Sequence, residues 1–334
     1  MYKKVYDEIS NMHYSRLDVG NQIPTEIFDC TINGLPQDAL SVITEVLNVD
    51  KKDISNIQIL KKGMTNRSYV FSCKKKKFII RIPGEGTDFL IDRQQEYQVY
   101  KVIKNKGLCD APIYINPHNG YKITEFLDNV RVCNSDNYQD VQSCIKKLRV
   151  LHDMNLQVDH DFDIFKQIDF YESLWSGMQS FYQDYALTKK NIFSLREYIC
   201  NQPKHWCLTH IDAIPDNFLF FHNDIQLTDW EYAGMQDPHV DIAMFAIYSS
   251  YDKRKTDKLI DIYFEGKCDK STRLKIYCYM AACGLLWSNW CEYKRIFGVK
   301  FGKYARRQYE YAKEYYSIIV EELKSKENFT YESR

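Results

Sequence analysis

No stretch of the 334-residue chain reaches the roughly 18 consecutive uncharged apolar residues at which a membrane-spanning helix becomes a candidate. Nor do the first 20 residues hold the apolar run of a signal peptide, because charges are scattered throughout them. A cytoplasmic protein with no membrane insertion is therefore expected. Net charge is lacking as well: 45 Lys and Arg balance 45 Asp and Glu. That balance removes any broad electrostatic attraction to nucleic acid or anionic lipid. The one basic run, Lys74 to Lys77, reads as a solvated turn between two strands. Eleven cysteines contain no CxxC pair and no clustered Cys/His ligand spacing. An odd number in a chain this long points to free thiols in a reducing compartment. Internal repeats and low-complexity segments are absent too.

What the chain does have is 45% hydrophobic and 27% charged residues, enough for a sizeable core in one large domain or two lobes. Residues 1–35 show few periodic apolar positions and read as an extension or short surface helix. From Pro36, the spacing of Leu40, Ile43, Val46 and Leu47 predicts a helix. Short β-branched or aromatic runs then predict strands over 57–61, 68–72 and 78–82. A helix of about five turns follows over 91–106, stopped at Gly107, and strands over 112–115 and 121–126 come after it. This order fits a mostly antiparallel sheet of about five strands carrying one helix, an α+β lobe. Beyond residue 130 the spacing becomes helical over 141–154, 165–185, 192–200, 239–251, 255–264, 271–293 and 304–323. A β-rich island at 206–209, 218–221 and 226–230 interrupts it. The organisation expected is an N-terminal segment (1–50), an N-lobe (51–128) and a helical C-lobe (129–334).

The island carries the chemistry. His210 and Asp212 leave the end of an apolar strand, where a loop presents side chains from a fixed base. Asn217 opens the next apolar run, and Asp229 follows 12 residues later, after a turn at 222–224. Strands joined by that turn would bring Asn217 and Asp229 to the same end of a hairpin. A carboxylate and an amide oxygen there make a hard, oxygen-only site suited to Mg²⁺, with Asp212 nearby to accept a hydroxyl proton. Each residue alone is an ordinary turn former. The ordered set, flanked by apolar strands behind a β lobe, matches the division of labour of phosphoryl-transfer enzymes. In the N-lobe, Gly63 and Asn66 permit a tight turn whose N–H groups could face phosphate oxygens. Arg81 lies inside an apolar strand; facing inward it needs an anion, which Glu96 on the following helix could supply.

The stretch Asp229-Trp230-Glu231-Tyr232-Ala233-Gly234 resembles the Asp-aromatic-Glu-Tyr signature of the choline/ethanolamine kinase family, and more closely its bacterial choline-kinase branch, within the aminoglycoside-phosphotransferase-like fold. Lys62-Gly63-Met64-Thr65-Asn66-Arg67-Ser68-Tyr69 resembles the family's first phosphate-loop motif, and Phe78 to Gly84 the strand bearing its basic phosphate-contacting residue. The similarity runs from about residue 55 to about residue 320. It implies a two-lobed, protein-kinase-like α+β fold that binds ATP with Mg²⁺. Asp212 would be the base, with His210 orienting its loop, and Asn217 and Asp229 would hold the metal. Gly63, Thr65, Asn66, Arg81 and Glu96 would attend the nucleotide, with Glu125 and Phe126 at the hinge that receives adenine.

The acceptor must come from the C-terminal helices. Trp287 and Trp290 share one helical face, and tryptophan faces attract quaternary ammonium by cation–π interaction. Such a pair is also ordinary helix core, and the chain is 15% aromatic throughout. The resemblance implies a choline cage of Trp287, Trp290 and a later tyrosine, Tyr304, with Tyr293 and Tyr309 as alternatives. Glu231 and Tyr232 could also face the acceptor. Asp241 is read as capping its helix or bracing the catalytic loop, and His152 as a packed helical histidine. The expected activity is phosphorylation of choline. Ethanolamine, an aminoglycoside or another amino alcohol is the alternative acceptor, and a nucleotide-binding pseudokinase acting as an interaction module is the alternative of another class. A protein kinase is disfavoured, since neither His-Arg-Asp nor Asp-Phe-Gly occurs.

Overall fold

A computed structural model describes residues 34–331 apart from 63–65, 85, 88, 110, 176 and 223, with the backbone alone for 61–62 and 325–331. The first sheet has five antiparallel strands: β1 (Ile54–Lys62), β2 (Asn66–Cys73), β3 (Lys76–Pro83), β4 (Tyr114–Ile115) and β5 (Lys122–Glu125). They lie in the order β1-β2-β3-β5-β4. Lys74 and Lys75 join β2 to β3 with φ of 47° and 66°. Two positive φ values in a two-residue connection are what a type I′ hairpin requires, because its twist matches that of the strands. Helix α1 (Gln37–Leu47) buries Ala39, Leu40 and Ile43 in the same core as Phe71, Ile80 and Ile123 from the sheet.

Helix α2 (Arg93–Ile103) is shorter at both ends than the spacing predicts. Asp92 caps it by accepting from the N–H groups of Gln94 and Gln95, and Asn105 turns left-handed at φ 61° before Gly107 is reached. Its buried face runs from Arg93 and Glu96 to Val99, Tyr100 and Ile103. The charged end meets the cleft and the apolar end joins the large C-terminal core.

That core is built from α3 (Tyr138–Asp153), α4 (Ile164–Trp175), α5 (Tyr185–Asn201), α6 (His239–Tyr248), α7 (Lys253–Phe264), α8 (Lys270–Ile296) and α9 (Lys303–Tyr331). The single helix expected over 165–185 is broken after Trp175. Gly177 takes φ 102°, and Glu292 of α8 captures the next residues, accepting from Ser180 Oγ and the Phe181 N–H at 3.0 and 2.8 Å. Those bonds hold the segment off any continuing helical path. Helix α8 is the centre of the lobe, with every residue from Leu274 to Lys294 buried. A helix buried all round must be touched on every side. At Gly284 the touch is backbone to backbone: a Cβ there would stand 2.6 Å from the Gln308 carbonyl and 2.9 Å from the Ala312 nitrogen of α9. Gly-to-Ala inside a helix ordinarily stabilises by about 0.5–1 kcal/mol. Here overpacking against backbone should win, and Gly284→Ala should lose about 1–3 kcal/mol of unfolding free energy in a urea titration.

Candidate active site

Two small sheets frame the site. Strand β7 (Cys207–Thr209) pairs with β10 (Gly234–Gln236), and β8 (Phe218–Phe221) pairs with β6 (Arg131–Val132) and β9 (Asp224–Leu227). The loop carrying His210 and Asp212 runs from β7 to β8, and Asp229 lies between β9 and β10. Strand β9 ends at Leu227, so Asp229 follows the strand rather than ending it. Phe218 pairs with Leu227, and the Thr228 N–H donates to the Asn217 carbonyl at 3.0 Å. That register puts Asn217 and Asp229 at one end of the hairpin.

The loop itself is tightly wound. The Asp212 N–H donates to the His210 carbonyl at 2.8 Å across Ile211, whose φ is 68°. A β-branched residue rarely takes that conformation, and it persists only where the surroundings over-determine it. They do so through Asp241, fully buried in the first turn of α6. Its Oδ1 accepts from the Ile211 N–H at 2.7 Å, and its Oδ2 from the His210 N–H at 3.0 Å. His152 Nε2 lies 3.0 Å from that same Oδ2, and its Nδ1 2.9 Å from the Tyr263 hydroxyl. Asp241 therefore braces the loop, and His152 braces Asp241.

His210 packs on Trp230 with ring centroids 4.5 Å apart, and its Nε2 meets the Thr228 carbonyl at 3.0 Å. Burial pushes its pKa down to about 4, so the ring is neutral at pH 7 and Nε2–H donates. Asp212 is pushed the other way: burial first, then the charges of Asp229 and Glu231, raise its carboxyl well above the usual range. Its Oδ1 is buried without a partner. Asn217 Nδ2 donates to the Asp212 carbonyl and Oδ2 at 2.9 and 3.1 Å, which leaves the amide oxygen outside both bonds. Asp229 takes φ 65°, and its side chain is 35% exposed towards the cleft. Among the described residues no group of three or more His, Cys, Asp or Glu side chains could hold a metal by itself. One open carboxylate beside one amide oxygen suits a cation that takes its remaining ligands from phosphates and water.

From the N-lobe, Arg81 reaches inward and forks onto Glu96, with Nη1–Oε1 2.5 Å and Nη2–Oε2 2.8 Å. Its Nη1 also stands 3.7 Å from Asp229 Oδ1. Burial alone would raise Glu96, but Arg81 overrides it and holds the carboxyl down at about 2. Glu231 turns to the N-lobe, accepting from Asn66 Nδ2 at 2.9 Å and Arg93 Nη1 at 3.0 Å. Asn66 thus meets a carboxylate through its side chain. Glu125 points outward to Lys76, and the Phe126 N–H is bonded to the Lys77 carbonyl. Gly63 and Thr65 lie outside the described residues.

The aromatic residues close into a ring. Tyr232 meets Trp287 edge-on at 5.4 Å, Trp287 meets Tyr248 at 6.1 Å, and Tyr248 meets Tyr304 at 5.6 Å. Phe301 then links Tyr304 to Trp290, which returns to Trp287. Burial first, with the Asp212 charge among the lesser causes, pushes the Tyr248 and Tyr304 hydroxyls well up. Of the alternatives, Tyr293 bonds the Gly86 carbonyl, and Tyr309 stacks on Tyr182; neither joins the ring. Tyr248 and Phe301 are absent from the sequence reading, as is Arg93. Tyr248 stands two turns beyond Asp241 on the same helix face, a spacing that could have marked it.

A two-lobed α+β protein with a catalytic-type loop between its lobes has the architecture of a kinase. The choline/ethanolamine kinase family model matches residues 57–280, and the chain belongs to that family of small-molecule kinases. It is 28% identical over 267 residues to Protein LicA of Haemophilus influenzae, covering 75% of this chain and 77% of that one. The crystal structure of choline kinase LicA from Streptococcus pneumoniae superposes with a TM-score of 0.73 at 26% identity, covering 83% of this chain and 98% of that one. Human ethanolamine kinase 1 is 24% identical over 196 residues, 53% of this chain and 43% of its own. An aminoglycoside phosphotransferase, APH(4)-Ia, shares the fold at 14% identity, with a TM-score of 0.55 over 84% of this chain and 98% of that one.

The buried histidines set an acid limit. His210 and His239 are both held down to about 4 by burial, whereas an unfolded histidine titrates near about 6.5. Below that value the unfolded state takes up protons that the folded state refuses, so stability falls as pH drops from about 6.5 to about 4. Each should contribute a loss of about 2 kcal/mol between pH 7 and pH 5, at 1.36 kcal/mol per unit. Urea unfolding at the two pH values checks this, and His239→Asn should flatten the slope.

Proposed function

We propose that the chain transfers the γ-phosphoryl group of ATP to the hydroxyl of choline. The observation that carries this is the closed ring of Trp287, Tyr248, Tyr304, Phe301 and Trp290, with Tyr232 packed on Trp287, beside the Asp212 loop. Ring faces stabilise a trimethylammonium group, which has no N–H to donate. Asp212 takes the hydroxyl proton as the choline oxygen bonds to phosphorus and the bond to ADP breaks. Its raised pKa brings the base nearer working pH, where proton transfer is efficient. Asn217 Oδ1 and Asp229 would hold Mg²⁺ together with phosphate oxygens; the ion would supply charge neutralisation. Arg81, locked on Glu96, presents fixed positive charge to the phosphates, and the rest of the rate comes from positioning.

Ethanolamine is the second reading, and one observation favours it. The Tyr171 and Tyr232 hydroxyls face each other and the Tyr304 hydroxyl faces that of Tyr248, all of them buried, and a primary ammonium has three protons to donate to such oxygens. An aminoglycoside is disfavoured because Glu231, the carboxylate nearest the pocket in sequence, is taken by Asn66 and Arg93.

An acceptor screen under identical ATP and Mg²⁺ separates these readings by ADP release. Choline should stimulate most; a larger kcat/KM for ethanolamine would transfer the assignment to it, and no stimulation by any amino alcohol would remove it. Asp212→Ala should lower kcat by about 10²–10⁴-fold while nucleotide still binds. Trp290→Ala should raise the choline KM by about tenfold or more, the size of a desolvated cation–π contact, and leave the ATP KM nearly unchanged.

A further inference from the structure

One buried charge cluster spans the cleft, and the phosphoryl-transfer reading uses only part of it. Arg93, the first residue of α2, puts Nη1 2.9 Å from Glu96 Oε2 and 3.0 Å from Glu231 Oε2. Asn66, the first residue of β2, donates from Nδ2 to that same Glu231 oxygen at 2.9 Å, and its Oδ1 stands 3.4 Å from Arg93 Nη2. Both N-lobe residues are buried, at 6% and 7% exposure. Glu231 follows Asp229 by two residues on the C-lobe. Glu96 is shared: Arg81 forks onto it, and Arg93 touches it. The two guanidiniums are thus held together, one facing Asp229 at 3.7 Å and the other gripping Glu231. The turn before β5 is shaped around them. Gly120 accepts from Arg81 Nη2 at 3.0 Å, and a Cβ on it would stand 2.6 Å from Arg93 Nε.

We propose that Arg93 and Asn66 form with Glu231 a latch between the lobes that sets Asp229 at its distance from Arg81. Both are positioning residues that act through Glu231. A buried ion pair is a weak source of stability, since desolvation cancels most of the attraction; what it fixes strongly is geometry. Here the geometry fixed is the separation of a cation on one lobe from a carboxylate on the other. In-line transfer depends on that separation, because a misplacement of about 1 Å can cost about 10²-fold in rate. Arg93 suits the task because Nη1 serves both carboxylates while Nη2 reaches Asn66 Oδ1, a planar set that a lysine ammonium reproduces less well.

The latch rests on the proposed placing of nucleotide phosphates and Mg²⁺ between Arg81 and Asp229, so its test includes binding measured without acceptor. Arg93→Met, Arg93→Lys and Asn66→Ala are compared with the native chain for kcat, both KM values, and calorimetric ADP binding with and without Mg²⁺. Arg93→Met should lower kcat by about 10²-fold and leave the acceptor KM within about threefold. It should also weaken ADP binding about tenfold with Mg²⁺ and far less without it. Arg93→Lys should recover part of the loss, and Asn66→Ala should show the same pattern more weakly. Equal weakening of metal-free and metal-containing binding, with no recovery in Arg93→Lys, would reduce Arg93 to a structural residue and overturn the proposal. So would native kcat and binding in Arg93→Met. If Arg93→Met does not fold, Asn66→Ala decides by the same binding difference. Because ADP binding needs no acceptor, the latch can fail while the choline assignment stands, and the reverse.

Discussion

The presentation of Asp212 depends on one buried carboxylate, that of Asp241. Asp241 accepts the N–H groups of His210 and Ile211 and is itself steadied by His152. The left-handed Ile211 costs about 1–3 kcal/mol. Hydrogen bonds to a charged group contribute about 1.5–3 kcal/mol each, so the two backbone bonds outweigh the strain. The position of Asp241 in the first turn of α6 also matches its charge to the helix dipole. The strain has a use. By bending the chain within three residues, the turn sends the His210 ring inward onto Trp230 while the Asp212 carboxylate stays with Asn217.

Electrostatics explains why the cleft is crowded with ionised groups that burial disfavours. Arg81, Arg93, Glu96 and Glu231 are nearly closed to solvent. Replacing such a set with apolar side chains would often be neutral or stabilising, whereas removing one member costs about 3–5 kcal/mol because its partner is left uncompensated. The set is therefore retained for where it puts charge. Glu96 shows the balance directly: burial pushes its pKa up, Arg81 pushes it down, and the value ends at about 2. Glu231, deeply buried and beside Asp229, ends above the usual carboxylate range even with both arginines near. The carboxylates on the C-lobe side thus repel one another, and they need cations from the N-lobe and from the substrate complex.

What was legible in the sequence followed from period and from local need. The five-strand sheet came from alternation and turn residues, and the inward Arg81 with Glu96 from the rule that a buried charge requires a partner. The grouping of Asn217 with Asp229 was visible because two apolar runs joined by a turn imply a hairpin, whose register the structure supplies. Arg93 was not, because an arginine just after a capping Asp92 looks like a solvated helix start, and its partner Glu231 lies 138 residues away. Tyr248 was hidden for a related reason: α6 is apolar almost throughout, so only its two-turn spacing from Asp241 set it apart from the core aromatics. The break after Trp175 was missed because Gly177 sits inside otherwise helical spacing, and Glu292, which captures the next residues, is more than a hundred positions away.

The aromatic cluster joins these threads. Its rings come from the segment after Asp229, from α6, which carries the brace Asp241, and from α8 and α9. One helix therefore supports both the turn that holds Asp212 and one side of the aromatic cluster. An alcohol is a very weak acid, so a carboxylate of ordinary pKa is a poor base for it. Burial and two neighbouring carboxylates make Asp212 more basic, the direction that its proposed role as the base requires. The aromatic ring serves this arrangement in a way that a ring of carboxylates would not. It can hold a cation without adding negative charge to a site that already carries a surplus. On the proposed reading, a cation held there gains from neutral faces beside so many buried anions, and that constraint suits aromatic recognition better than further charge pairing.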